Sequence, residues 1–222
     1  MYSAKLFICL LLFVQSGYGA FEDRPTYGYH MKYGVPKAYK LQFGEGFRIV
    51  GGSAVNTADA VPHQAGIITT LTTGWTSLCG GSLISVTRVL TAAHCWWDGQ
   101  SQARLFTVVL GSLTIFSGGT RIATTNVRVH PQWKVNMVHD IAMVVIPRVA
   151  ISTQNSFPTS TALHQTTVTV ITNAVCQNSF KVPIQASHIC SSGQNGRGTC
   201  DGDSGGPLTV VDNNRRMLVS NI

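Results

Sequence analysis

Downstream of residue 48 the chain alternates short apolar runs with glycine, proline and polar breaks, the signature of many brief strands joined by turns. The windows 66–71 (GIITTL), 78–85, 88–91, 105–110 (LFTVVL) and 120–129 come first. The windows 141–146 (IAMVVI), 166–172 (TTVTVIT), 208–211 and 217–219 follow. β-Branched residues dominate them and charges are few, as suits side chains packed on a pleated surface. Two helical turns fit between strands, at 92–95 and 173–180. No repeat of fixed period occurs. The pattern predicts an all-β barrel or sandwich.

The first 48 residues have a different texture. Residues 1–5 carry one lysine, residues 6–14 (LFICLLLFV) are uninterrupted apolar, and Gly17-Tyr18-Gly19 supplies small residues at a cleavage site. These are the parts of a signal peptide over 1–19, and they predict a secreted, extracellular protein. The apolar run of nine residues is too short to span a bilayer, so no membrane association is expected. Residues 20–48 are rich in Tyr, Gly, Lys and Pro with little apolar periodicity, which predicts an irregular pro-segment. The main domain is then 49–222.

Secretion changes the meaning of the cysteines. Of six, Cys9 leaves with the signal, and the remaining five predict two disulfides and one orphan. Cys95 adjoins His94, but no zinc-type ligand spacing accompanies the pair, so no metal or other cofactor is expected. The net charge of +7 is spread thinly: from residue 49 onward there are ten Lys/Arg, six Asp and no Glu, with no basic run beyond Arg215-Arg216. That distribution suits a solvated surface rather than nucleic acid.

The chemistry concentrates in three places. Gly198-Thr199-Cys200-Asp201-Gly202-Asp203-Ser204-Gly205-Gly206-Pro207 sets a serine among glycines, where its approach is uncrowded and backbone N–H groups of Gly202 and Ser204 can form an oxyanion hole. His94, in Thr91-Ala92-Ala93-His94-Cys95, follows small residues that permit tight packing of a general base. Asp140 heads the apolar strand at 141–146, and a carboxylate there needs a partner, which the proton-bearing nitrogen of His94 would supply.

TAAHC, HDIAMV and GDSGGP in that order, with Arg48-Ile49-Val50-Gly51-Gly52 upstream, resemble the chymotrypsin-like serine endopeptidases, in particular the brachyurin-type chymotrypsins and collagenases of arthropods. The resemblance implies a double β-barrel and hydrolysis of protein or peptide substrates through an acyl-enzyme. It implies that His94 is the base, Asp140 its orienter and Ser204 the nucleophile. A trypsin-like protease would cleave after Arg48, freeing the Ile49 amine to pair with Asp203. The resemblance also implies disulfides Cys79–Cys95 and Cys176–Cys190. The pocket-floor position is Gly198, where an aspartate would favour Lys or Arg, so the preference expected is chymotrypsin- or brachyurin-like rather than trypsin-like.

Two departures stand out. The spacing from His94 to Asp140 is 46 residues, near the template value of about 45, but from Asp140 to Ser204 it is 64 against about 93. Residues 157–165 (FPTSTALHQ) stand where a linker and an opening strand belong. The family also continues beyond the position of Ile222 with a pocket wall, a partner for Cys200 and a terminal helix. An incomplete second barrel is therefore expected. The alternative to a working enzyme is a catalytically silent homologue acting as a binding or decoy protein, or an incomplete gene product.

Overall fold

The computed structural model describes residues 26–43, 52–55, 61–135, 138–150, 163–199 and 203–222. After a short β1 (Ser53–Ala54), one antiparallel sheet holds β2 (Gln64–Leu71), β3 (Thr76–Ser85), β4 (Arg88–Thr91), β5 (Ala103–Leu110), β6 (Thr120–Thr124), β7 (Val127–Val129) and β8 (Ala142–Val145). Its spatial order is β6-β5-β2-β3-β4-β8-β7. Only Thr125 and Asn126 separate β6 from β7, so the two edges of the sheet are one bent strand and the sheet rolls into a barrel. Thr124 Oγ1 donates to the Val145 carbonyl at 3.0 Å, and the Val145 N–H reaches the Asn126 carbonyl at 2.9 Å. Closure removes the exposed edges that make open sheets prone to association.

The period-two pattern of β2 explains the core. Ala65, Ile67, Thr69 and Leu71 are fully buried, while the residues between them face outward in part. Ala65 and Ile67 meet Val89, Phe106, Val108 and Val144, all buried, and Trp96 packs edge-on against Phe106 with ring centroids 4.9 Å apart. Each such aliphatic or aromatic side chain contributes roughly 1.5–3 kcal/mol on burial. Strand β3 breaks the alternation: Ser77 through Ser82 are all buried, because both of its faces are covered.

Residues 26–43 correct the expectation of an irregular pro-segment. They form a π-helical turn (His30–Gly34) that runs directly into α1 (Val35–Gln42), with Pro36 in the first turn, where its missing N–H costs nothing. Tyr29, His30 and Ala38 are buried, and the segment lies mainly against β3. The ring of Tyr29 belongs to the barrel core itself.

The second half is built differently. β9 (His164–Gln165) pairs with β1, β10 (Val170–Ile171) with β11 (Cys190–Ser191), and β12 (Pro207–Asp212) with β13 (Arg215–Asn221). These are three separate two-stranded pairs. The last is a hairpin turned by Asn213 and Asn214, both at positive φ (46° and 60°), the backbone that asparagine tolerates in a tight hairpin. Helix α2 (Asn173–Gln177) is capped by the Thr172 hydroxyl, which accepts from the Val175 N–H at 3.3 Å. The strand expected at 166–172 shrinks to Val170–Ile171. A cleft of about 1450 Å³ remains, lined among others by Leu113, Leu163, Val168, Val170, Ile189 and Val219. Among the described residues, the strands of the second half form only these pairs.

Candidate active site

Strand register brings the predicted base and its orienter together. β4 and β8 are antiparallel with Thr91 opposite Ala142. The chain leaving β4 and the chain entering β8 therefore emerge at the same end of the barrel. Three residues beyond Thr91, His94 sits in a 3-10 turn (Ala93–Cys95); two residues before Ala142 stands Asp140. One Asp140 oxygen lies 2.7 Å from His94 Nδ1, and the other accepts the His94 backbone N–H at 2.9 Å. This two-point hold fixes both the position of the ring and its tautomer: Nδ1 carries the proton and Nε2 is left as the acceptor.

Below the imidazole, Cys79 of β3 is bonded to Cys95, and in the second half Cys176 of α2 is bonded to Cys190 of β11. Each closure contributes roughly 3 kcal/mol in the chain-entropy picture. Cys79, His94 and Cys95 place three metal-type donor atoms within 4.8 Å of one another. Both sulfurs are committed to the disulfide, so the group has no thiolate to offer a metal.

Ser204 is positioned by close backbone packing. The Gly80 N–H of β3 donates to the Ser204 carbonyl at 2.7 Å, and the Gly206 N–H donates to the Asp203 carbonyl at 2.9 Å. Gly205 has φ +82°, and a Cβ there would lie 2.3 Å from Thr91 Oγ1 and 2.5 Å from the Gly80 carbonyl. A Cβ on Gly80 would in turn come within 2.7 Å of Gly206. The glycines around the serine do more than clear an approach: they let the turn seat in a notch between β3 and β4. Sequence reading missed this role, although Gly80-Gly81 in mid-strand was its signal.

The third contact of the predicted triad is not made. His94 Nε2 is buried without a hydrogen-bond partner, so Ser204 does not donate to it here. Against the imidazole lies instead the ring of Tyr29, with centroids 4.5 Å apart, and His94 is only 3% exposed. Asp203 is held by Lys37, whose Nζ is 3.2 Å from one carboxylate oxygen. Next to Tyr29, His30 is fully buried, its backbone N–H donating to Asp98 Oδ2 at 2.8 Å and its Nδ1 2.8 Å from the Ser77 hydroxyl. Burial lowers the His30 pKa to about 4; the charge of His94 adds to this and that of Asp98 opposes it. At the far end of β13, Asn221 Nδ2 donates to the Asp140 carbonyl at 3.2 Å. None of these partners was visible as a sequence motif.

The other predicted residues fall as follows. Around Gly198 there is no atom within 4 Å of where a Cβ would be, so space alone does not require glycine there. Arg48, Ile49, Cys200 and the oxyanion residue Gly202 lie outside the described residues. His130 and His139 stack in parallel with ring centroids 4.5 Å apart, His139 being the residue before Asp140. The large cleft lies between the two halves and reaches Asp203, but neither His94 nor Ser204 lines it.

The trypsin family model matches residues 49–156 and 147–219, two stretches that together span most of the chain. The chain belongs to the trypsin family. It is 31% identical over 208 residues to a chymotrypsin of Phaedon cochleariae, covering 78% of this chain and 72% of that protein. A serine protease, SP24D, of Anopheles gambiae is also 31% identical, over 81% of this chain and 73% of its own length. Chymotrypsin-like elastase family member 1 of Bos taurus is 30% identical over 75% and 74%, respectively. The fold is similar to the solved structure of HL collagenase, with a TM-score of 0.63 and 26% identity over 72% of this chain and 80% of that one. The chymotrypsin-like fold and the serine protease family are thereby established.

Proposed function

We propose that this trypsin-family chain is a secreted serine endopeptidase zymogen that hydrolyses peptide bonds of protein substrates through an acyl-enzyme. The observation carrying this reading is the two-point hold of Asp140 on His94, which leaves Nε2 as the acceptor that a serine nucleophile needs. Ser204 Oγ attacks the substrate carbonyl as its proton passes to His94 Nε2. The proton then goes to the leaving amine, and water reverses the sequence to release the acid. Asp140 stabilises the imidazolium without taking the proton. The N–H groups of Gly202 and Ser204 hold the oxyanion.

Cleavage after Arg48 by a trypsin-like protease frees the Ile49 amine, which pairs with Asp203 and orders the oxyanion turn. Asp203 is already one member of an ion pair in the uncleaved chain, which supports its part in such a switch. With Gly198 at the pocket floor no carboxylate awaits a basic side chain, and the preference is chymotrypsin- or brachyurin-like. The domains follow as signal 1–19, pro-segment 20–48 and peptidase 49–222. Two disulfides fit an extracellular protein, and no described helix is long and apolar enough to cross a membrane.

A fluorophosphonate probe tests the reading directly. Protein cleaved at Arg48 should be labelled, and Ser204→Ala should abolish the label. Soluble, folded, cleaved protein that takes no label would reject the enzyme in favour of a catalytically silent homologue. The separate strand pairs of the second half are what favours that second reading.

A further inference from the structure

Residues 20–48 contain no cysteine, so cleavage after Arg48 would leave this segment without a covalent tether. What holds it is a set of specific contacts. The Tyr29 hydroxyl donates to the Leu78 carbonyl at 2.9 Å while its ring lies on His94. The His30 backbone donates to Asp98, and the His30 ring meets Ser77. Gly34 is seated so tightly that a Cβ would come within 1.9 Å of Ser77 Oγ. Lys37 and Asp203 form their ion pair at side-chain exposures of 15% and 16%. A pair this buried gives up much of its Coulomb gain to desolvation, so it is poorly explained as a source of stability and well suited to a switch.

We propose that Ser77, Leu78, His94, Asp98 and Asp203 form a docking face for the helical peptide 26–43, which covers the base and occupies Asp203 through Lys37. This rests on the reading above that the freed Ile49 amine pairs with Asp203. Lys37 and the new amine then compete for one carboxylate. Two cations drawn to one half-buried carboxylate repel one another, so each occupancy weakens the other. Cleavage supplies the competitor and cuts the tether in a single event. The displaced Lys37 takes α1 with it, and Tyr29 leaves the imidazole. The pro-segment is thus an inhibitor in cis as well as a spacer before the scissile bond.

Accessibility of His94 tests the proposal without needing catalysis. Diethyl pyrocarbonate acylates exposed imidazole nitrogens, and peptide mass mapping gives the rate at each histidine, with exposed His139 as the internal reference. In the uncleaved Arg48→Gln precursor, His94 should react at least tenfold more slowly than His139. After cleavage of the wild-type chain it should react at least tenfold faster than in the precursor. Tyr29→Ala and Lys37→Gln, each placed in the uncleavable precursor, should raise the His94 rate several-fold.

Equal His94 rates before and after cleavage, or no change in either variant, would overturn the proposal. The wild-type comparison stands even if Tyr29→Ala fails to fold. Fluorophosphonate labelling is scored separately. Unlabelled cleaved protein with an uncovered His94 would sink the enzyme reading and leave the docking face standing.

Discussion

The two halves of this chain hold the same family's chemistry by different means. In the first, seven strands share one hydrogen-bonded sheet whose edges are a single bent strand, and Ile67, Val89, Phe106 and Val144 are wholly buried within it. In the second, the strands among the described residues meet only in pairs, and Val170, Val211, Met217, Val219 and Ile222 remain exposed. His94 and Asp140 are both mounted on the closed barrel, where their relative position follows from the β4–β8 register. Ser204 belongs to the loose half. It is precise only through the seam at which Gly205 and Gly206 press on Gly80 and Thr91. The closed half therefore carries the proposed base and its orienter, and also the template on which the proposed nucleophile Ser204 is seated. That division gives a ranking of what should break the site.

The largest effect is expected inside the rigid half. Asp140→Asn keeps the shape of the side chain but offers His94 Nδ1 a donor in place of an acceptor, which favours the wrong tautomer. The cleaved enzyme should lose about 10⁴-fold in kcat with its stability little changed. Steady-state kinetics beside a thermal melt will check this. A loss below tenfold would mean that the Asp140–His94 contact does not orient a catalytic base.

Next comes the seam. Gly205→Ala puts a methyl group against Thr91 Oγ1 and the Gly80 carbonyl at a positive φ, combining overlap with backbone strain. The two together should cost roughly 3 kcal/mol or more. The cost should fall on the nucleophile turn: fluorophosphonate labelling is lost while the first-barrel amides of β2 and β5 keep their hydrogen-exchange protection. If those amides lose protection equally, the halves are not as separable as their sheets suggest.

Legibility in the sequence follows the same division. Strand β4 lies where alternation places it, at Arg88–Thr91, and β2, β3 and β5 extend their expected windows by only two residues at one end. Their period-two pattern is imposed by a core that the barrel completes. In the second half the TTVTVIT run keeps its β-branched composition but only Val170–Ile171 pairs, because a strand needs a neighbour and composition supplies none. The approach of Asp140 to His94 follows the motifs that named both residues, because acyl transfer leaves dense local motifs, whereas the expected contact of Ser204 with His94 is not made. The helix over 30–42 was not legible, since what stabilises it is β3, to which Tyr29 and His30 bond across 49 and 47 positions. Nor could any local pattern announce the Lys37–Asp203 pair, whose members stand 166 positions apart.

The docked segment adds a pH dependence to the rigid half. Docking holds the His30 pKa at about 4, below the ordinary 6.5, so the docked state prefers the neutral ring. Above pH 6.5 both states are neutral and the preference for docking is fully present. As pH falls from 6.5 towards 4 the undocked ring takes up a proton first, and docking weakens by up to on the order of 3 kcal/mol. The titratable neighbours facing His30 are Asp98 and His94. Hydrogen exchange of residues 26–43 in the Arg48→Gln precursor should quicken at pH 4.5 relative to pH 7.5. His30→Asn, which cannot titrate, should flatten that response. An unchanged response in His30→Asn would assign the acid sensitivity to another group.

The smallest effect tests whether the loose half contributes to the rigid pair at all. Asn221 links β13 to Asp140 through a hydrogen bond from its side-chain amide to the Asp140 carbonyl. A neutral bond of this kind is worth about 0.5–1.5 kcal/mol. Asn221→Ala should therefore lower kcat two- to tenfold with KM nearly constant, because Asp140 is loosened while the approach of substrate is not altered. Asn221→Gln, whose longer amide can still donate, should recover part of the loss. If both variants match the parent in kcat, the Asp140–His94 pair is held by β4 and β8 alone, and the second half serves the site only by presenting Ser204.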